Sequence, residues 1–136
     1  QLDEQGEKGE YPFTPSVHTF YAFDEALDEF LEEGIQNRIN RYKKASSYLR
    51  DEFKRLSLEL LLPDELLSNT ITALHLPENM TYAHLHDSLK ERGFIIYAGQ
   101  GQLSKKIFRI ANMGDLSMDD LQSLIKNLQE VLAEQK

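Results

Sequence analysis

The stretch from Gly93 to Gly114 constrains the fold more than any other part of the sequence. It contains two apolar runs, G-F-I-I-Y-A-G at 93–99 and K-I-F-R-I-A-N-M-G at 106–114. Both runs are rich in β-branched and aromatic residues, and the turn-forming sequence Gly-Gln-Gly at 99–101 follows the core of the first. The pattern therefore predicts a β-hairpin, or two neighbouring strands joined by a loose connection.

Arg109 lies inside the second run, between the apolar residues Phe108 and Ile110. Because side chains alternate along a strand, Arg109 should share one face with Ile107 and Ala111. Phe108 and Ile110 should occupy the opposite face. Two interpretations fit this pattern. The arginine is either a solvated charge at the edge of a sheet, or a guanidinium held on a rigid element to bind a carboxylate or phosphonate through two hydrogen bonds.

Four helices are predicted from apolar periodicity and from residues typical of helix ends. They cover about residues 17–33, 35–56, 82–92 and 118–132. The residues that mark their ends are Ser16, Thr81 and Ser117 as N-caps, Asp120 as the partner of Ser117 in a capping box, and Gly34 and Gly93 as stops.

A strand is predicted at 70–76, and a further short strand could form at 58–62. The order of the elements predicts an α+β fold, in which two long helices precede an antiparallel-rich sheet of about three to four strands covered by helices. Residues 1–15 are expected to form an extended lead-in, and residues 16–136 are expected to form one domain.

Composition excludes several classes of function. The chain has 136 residues, a net charge of −8 and no cysteine, so a disulfide framework or a cysteine-based metal site is impossible. The acidic balance argues against nucleic acid as a partner, and no apolar run approaches the roughly 18 residues of a membrane span. The four histidines lack the spacing of a metal site, so no metal is expected. Because the sequence opens at Gln1 without methionine, we expect it to be part of a longer protein.

Three passages resemble the class V aminotransferases, which are fold-type-I enzymes that use pyridoxal phosphate. The first is G-F-I-I-Y-x-G followed by F-R-I-x-x-M-G in the hairpin region. The second is Y-P-F-T-P-S-V-H at 11–18 with Y-A-F-D-E-A-L at 21–27, and the third is L-P-D-E-L-L-S at 62–68. They occur in the family's order, and the chain resembles the C-terminal small domain of these enzymes from about Tyr11 onward. Within the family the closest resemblance is to the 2-aminoethylphosphonate–pyruvate transaminases.

The resemblance implies a role for three residues. Arg109 matches the family arginine that binds the acidic end of the substrate, a phosphonate in one half-reaction and the carboxylate of pyruvate in the other. Thr14 matches a threonine that reaches across a homodimer to the partner's cofactor phosphate, and Tyr11 matches a phosphate-binding tyrosine of the alanine–glyoxylate branch. For the latter two, the alternative is a local hydrogen bond in an extended segment.

The resemblance also implies what the chain lacks. In the family, the lysine that holds pyridoxal phosphate lies in a large domain that precedes the stretch resembled by residues 11–18, so we expect this chain alone to be inactive and not to bind the cofactor. The parent is expected to be a cytoplasmic homodimeric enzyme that transfers an amino group from 2-aminoethylphosphonate to pyruvate.

Two alternatives stay open. Ala98 and Gln100 stand where the family usually has proline and lysine, which leaves room for another class V enzyme of the alanine–glyoxylate type. The other alternative is a non-catalytic α+β binding or regulatory module.

Overall fold

The computed structural model describes residues 14–134. Within this range the chain forms four α-helices and three β-strands, together with short 3₁₀ turns at Asp64–Leu66 and Gly101–Leu103. The elements, in chain order, are α1 (Val17–Glu33), α2 (Ile35–Arg55), β1 (Ile71–His75), α3 (Tyr82–Glu91), β2 (Tyr97–Ala98), β3 (Ile107–Ala111) and α4 (Met118–Ala133). The α+β class and the two leading helices are therefore confirmed.

The described strands form an antiparallel sheet in the order β1-β3-β2. Strand β3 is central: it pairs with β1 from Ile71↔Ala111 to His75↔Ile107, and with β2 through Tyr97↔Arg109 and Ala98↔Phe108. Residues 107–111 therefore occupy the middle of the sheet, where strands pair with them on both sides.

The hydrophobic core lies between helices α2, α3 and α4 and one face of the sheet. Phe53 of α2, Leu74 of β1 and Phe108 of β3 have no exposed surface, and neither do Leu85 and Leu89 of α3. The core is completed by Ala45, Leu49, Leu58, Met80, Ile96, Ile110, Leu121, Leu124, Ile125, Leu128 and Val131. The apolar positions of α4 that the periodicity predicted thus face inward, as do the predicted positions of α2 from Ser46 onward.

Local capping signals are confirmed for two helices. The Thr81 side chain accepts a hydrogen bond from the His84 backbone N–H at the start of α3. At the start of α4, Ser117 and Asp120 form the capping box, and the two hydrogen bonds from Ser117 lower the pKa of the Asp120 carboxyl. By contrast, the Ser16 hydroxyl does not cap α1, because it pairs with the Thr19 hydroxyl at 2.7 Å instead.

The structure shortens two predicted strands. The segment 58–62 contributes only a single bridge, Leu60↔Leu74, beside β1. In the first apolar run, only Tyr97–Ala98 pair as a strand, because the preceding backbone closes α3. Gly93 adopts a φ of +90° there, and the Phe94 N–H is donated to the Leu89 carbonyl at 2.9 Å.

The chain divides into two compact units, with the boundary between Arg38 and Ile39. In the first unit, α1 has no buried residue, so most of the apolar side that its periodicity predicted is exposed. The second unit contains the sheet, the core, α3 and α4. Within residues 14–134, no helix combines the length and the apolar character needed to cross a bilayer.

Candidate functional site

Arg109 lies on the central strand, on the sheet face opposite to the core. Its cross-strand neighbours are Ala73 on β1 and Tyr97 on β2, whereas the adjacent residues Phe108 and Ile110 are buried on the core face. The Arg109 side chain is partly buried. The predicted alternation is therefore confirmed for the arginine and its two neighbours, and the arginine is on the middle strand rather than at an edge.

The guanidinium of Arg109 is fixed by one hydrogen bond. Its Nε donates to the backbone carbonyl of Ala98 at 2.9 Å. Within residues 14–134, its two terminal nitrogens donate to no acceptor and no carboxylate forms an ion pair with it. Other arginines behave differently: Arg38, Arg55 and Arg92 are each paired with a glutamate. Arg109 therefore presents an oriented, unneutralised pair of N–H donors, which is the arrangement that binds a carboxylate or phosphonate through two bonds.

Tyr82 lies next to this group, and the sequence alone did not predict its polar role, because the residue falls inside the helix expected at about 82–92. Its hydroxyl donates to the Ile96 carbonyl at 2.9 Å. Burial raises the pKa of the Tyr82 hydroxyl, while a hydrogen bond with the Ala98 backbone and the positive charge of Arg109 act in the opposite direction. A tyrosine among leucines on an inward face is itself a signal, since a buried hydroxyl needs a partner.

The other two predicted site residues are placed less completely. Thr14 is exposed and belongs to the first unit, whereas Arg109 belongs to the second. Tyr11 lies outside the described residues. Nothing in the structure therefore tests the phosphate-binding role predicted for either residue.

A pyridoxal phosphate enzyme holds its cofactor through a lysine. The lysines of residues 14–134 are all exposed to solvent, namely Lys43, Lys44, Lys54, Lys90, Lys105, Lys106 and Lys126. No lysine within residues 14–134 is therefore assigned to the cofactor, and anion binding by Arg109 stays a prediction.

Known proteins match this sequence and this fold. The chain is 38% identical over 109 residues to an uncharacterized aminotransferase of Methanocaldococcus jannaschii, which is 79% of this chain and 28% of that protein. It is 31% identical over 134 residues to a 2-aminoethylphosphonate–pyruvate transaminase of Lysinibacillus sphaericus, which is 97% of this chain and 36% of that protein. No model of a protein family matches the chain.

Solved structures agree with the sequence matches. An alanine–glyoxylate aminotransferase from Nostoc superposes with a TM-score of 0.83 at 27% identity, over 90% of this chain and 33% of that one. The fold is thus that of a small domain of the aminotransferases, a class that depends on pyridoxal phosphate. More specifically, the chain is similar to one part of the class V aminotransferases, and it spans about a third of the length of the relatives it matches.

Proposed function

We propose that this chain is the C-terminal small domain of a 2-aminoethylphosphonate–pyruvate transaminase. The full-length enzyme would transfer the amino group of 2-aminoethylphosphonate to pyruvate, which yields phosphonoacetaldehyde and alanine. The proposal is supported by the name of the Lysinibacillus relative, which matches 97% of the chain. It rests above all on one observation, the oriented Arg109 guanidinium with unneutralised terminal nitrogens.

Arg109 would bind the acidic end of both substrates. A planar guanidinium donates two parallel hydrogen bonds, and carboxylate and phosphonate both offer two acceptor oxygens at matching separation. The Ala98 carbonyl holds Nε, so the free edge of the guanidinium is presented in a defined direction before the anion arrives. One residue can therefore serve the phosphonate donor and the keto-acid acceptor in turn.

The cofactor would be held mostly outside this chain. Pyridoxal phosphate supplies the electron sink for amino transfer when it is bound to the full-length enzyme. From this chain, Thr14 would donate its hydroxyl across a homodimer to the partner's cofactor phosphate, and Tyr11 would contribute a second hydroxyl. We further propose that the isolated chain does not catalyse transamination, and amino transfer by this chain with added cofactor would contradict that.

Thr14→Ala in the full-length enzyme is expected to weaken cofactor binding by about 1 kcal/mol or more, because one hydrogen bond to a charged phosphate is lost. The stability of the isolated chain should not change, since the Thr14 side chain is exposed. Cofactor dissociation can be followed by the visible absorbance that remains after dialysis, and Thr19→Ala is a matched control on the same unit. An unchanged dissociation constant for Thr14→Ala would remove this residue from the site.

A second candidate function is that of an alanine–glyoxylate-type enzyme. Two observations favour it: the departures at Ala98 and Gln100 from the phosphonate-branch pattern, and the similarity to the Nostoc alanine–glyoxylate aminotransferase. In that case the same arginine would bind carboxylates only.

The amino-donor half-reaction of the full-length enzyme separates these candidates. The enzyme in its pyridoxal phosphate form is mixed with 2-aminoethylphosphonate or with alanine, and the cofactor spectrum and the released product are measured. We expect conversion with 2-aminoethylphosphonate and release of phosphonoacetaldehyde. A reaction with alanine and glyoxylate but none with 2-aminoethylphosphonate would favour the second candidate, and no reaction with any donor would contradict both.

A further inference from the structure

Strand β2 is at an edge of the described sheet, so the outer backbone groups of this strand need partners. The Gly99 N–H is donated to Ile107 of β3 at 3.0 Å, and Tyr97 is paired with Arg109 on the same side. Because backbone groups alternate in direction along a strand, those of Ile96 and Ala98 point away from β3. Unpaired edge groups are costly when buried and invite wrong pairing when exposed.

Two side chains occupy this edge in place of a further strand. The Tyr82 hydroxyl donates to the Ile96 carbonyl, and Arg109 Nε donates to the Ala98 carbonyl, both at 2.9 Å. The two acceptors are separated by only one residue. A short segment of backbone therefore links the tyrosine to the arginine, without a direct bond between the two side chains.

Tyr82 is itself held firmly. It is the first residue of α3, whose inward residues Leu85 and Leu89 have no exposed surface. Its ring packs against the ring of His86, with 5.5 Å between the centroids. The hydroxyl thus extends from an element anchored in the core, and it can fix a strand of only two residues that has few hydrogen bonds of its own.

We propose that Tyr82 is a positioning residue for Arg109: its hydroxyl holds the 96–98 edge segment, and thereby places the Ala98 carbonyl that orients the guanidinium. An effect of Tyr82 on substrate binding rests on the function proposed above for Arg109. The placement of Arg109 by Tyr82 does not rest on that function, because it concerns hydrogen bonds within the chain.

Tyr82→Phe in the 136-residue chain tests the proposal. The measured quantity is the rate at which the Arg109 Nε proton exchanges with water, followed by NMR of the ¹⁵N-labelled chain without ligand. We expect exchange to accelerate by about three- to tenfold, the effect of losing one neutral hydrogen bond that restrains the segment. The backbone amide of Ile110 on β3 should keep its protection. Tyr48→Phe is the matched control, because within residues 14–134 the Tyr48 hydroxyl makes no hydrogen bond.

The positioning role would be overturned by an unchanged exchange rate or by damage to the whole sheet. The first result is an Arg109 Nε exchange rate in Tyr82→Phe that equals the rate in Tyr48→Phe. The second is a loss of protection at Ile110 as large as that at Arg109, or failure of the variant to fold, since the hydroxyl would then support the sheet as a whole.

Titration with methylphosphonate separates this inference from the proposed function. If both hold, the wild-type chain binds at Arg109, and Tyr82→Phe binds about three- to tenfold more weakly. If the wild-type chain shows no binding at Arg109 while exchange is still accelerated in Tyr82→Phe, the proposed function fails and the positioning role stands.

Discussion

Arg109→Ala in the full-length enzyme is expected to slow both half-reactions, by roughly 2–4 kcal/mol each, because each substrate anion loses a charged partner that makes two hydrogen bonds. The expected loss is this large because the guanidinium is already oriented by the Ala98 carbonyl and has no carboxylate partner within residues 14–134. Single-turnover kinetics with 2-aminoethylphosphonate, and separately with pyruvate on the aminated cofactor form, measure the two losses.

Two further variants sharpen the test of Arg109. Arg109→Lys should recover only part of the activity, since an ammonium cannot reproduce the planar pair of donors. Arg55→Ala is the control, because Arg55 is exposed and bonds Glu52 on its own helix, so its loss should cost under about 0.5 kcal/mol of stability and no turnover. If Arg109→Ala kept wild-type rates and affinities in both half-reactions, Arg109 would be a solvated charge on the sheet with no role in substrate binding.

Gly99→Ala is expected to destabilise the chain by about 2–3 kcal/mol, through steric overlap rather than backbone strain. A Cβ atom at Gly99 would lie 2.4 Å from the Leu103 carbonyl oxygen and 2.6 Å from Ile107 Cγ1. The first of these atoms is backbone in the Gly101–Leu103 turn, so it cannot move aside as a flexible side chain could. Urea denaturation of the 136-residue chain gives the free energy of unfolding.

Gly101→Ala is the matched control for this steric effect. Gly101 has a φ of +55° but no atom within 4 Å of an added Cβ, so only the conformational cost of about 1 kcal/mol applies. A loss at Gly99 no larger than the roughly 1 kcal/mol expected at Gly101 would contradict the predicted steric cost. A larger loss at Gly99 would support close packing of the chain just after Ala98, against the Gly101–Leu103 turn.

The sequence predicted features that depend on near neighbours in the chain. The α3 and α4 N-caps, Thr81 and Ser117, use bonds that span three residues, and Gly93 ends α3 through its own φ. Helix periodicity likewise located the buried side of α4. These features can be predicted from the sequence because each depends on interactions within one or two turns of helix.

Features that depend on distant pairing were predicted less well. Alternation placed Arg109 on the correct face, but it could not show that β3 is the central strand or that β2 has only two residues. The bond between Arg109 Nε and the Ala98 carbonyl, and the bond between Tyr82 and Ile96, join separate elements. The residue pattern within one helix or strand does not predict these two hydrogen bonds, because they depend on how the strands and helices pack together.

Binding of a phosphonate at Arg109 in the 136-residue chain tests the central claim most directly. The ¹⁵N-labelled chain is titrated with methylphosphonate and, separately, with pyruvate, and the side-chain Nε–H signals of its arginines are followed. We predict that the Arg109 signal shifts saturably with both anions, while the glutamate-paired Arg55 and Arg92 shift little. An Arg109 signal that does not move, or that moves no more than those of Arg55 and Arg92, would contradict the assignment of Arg109 as the substrate-anion site.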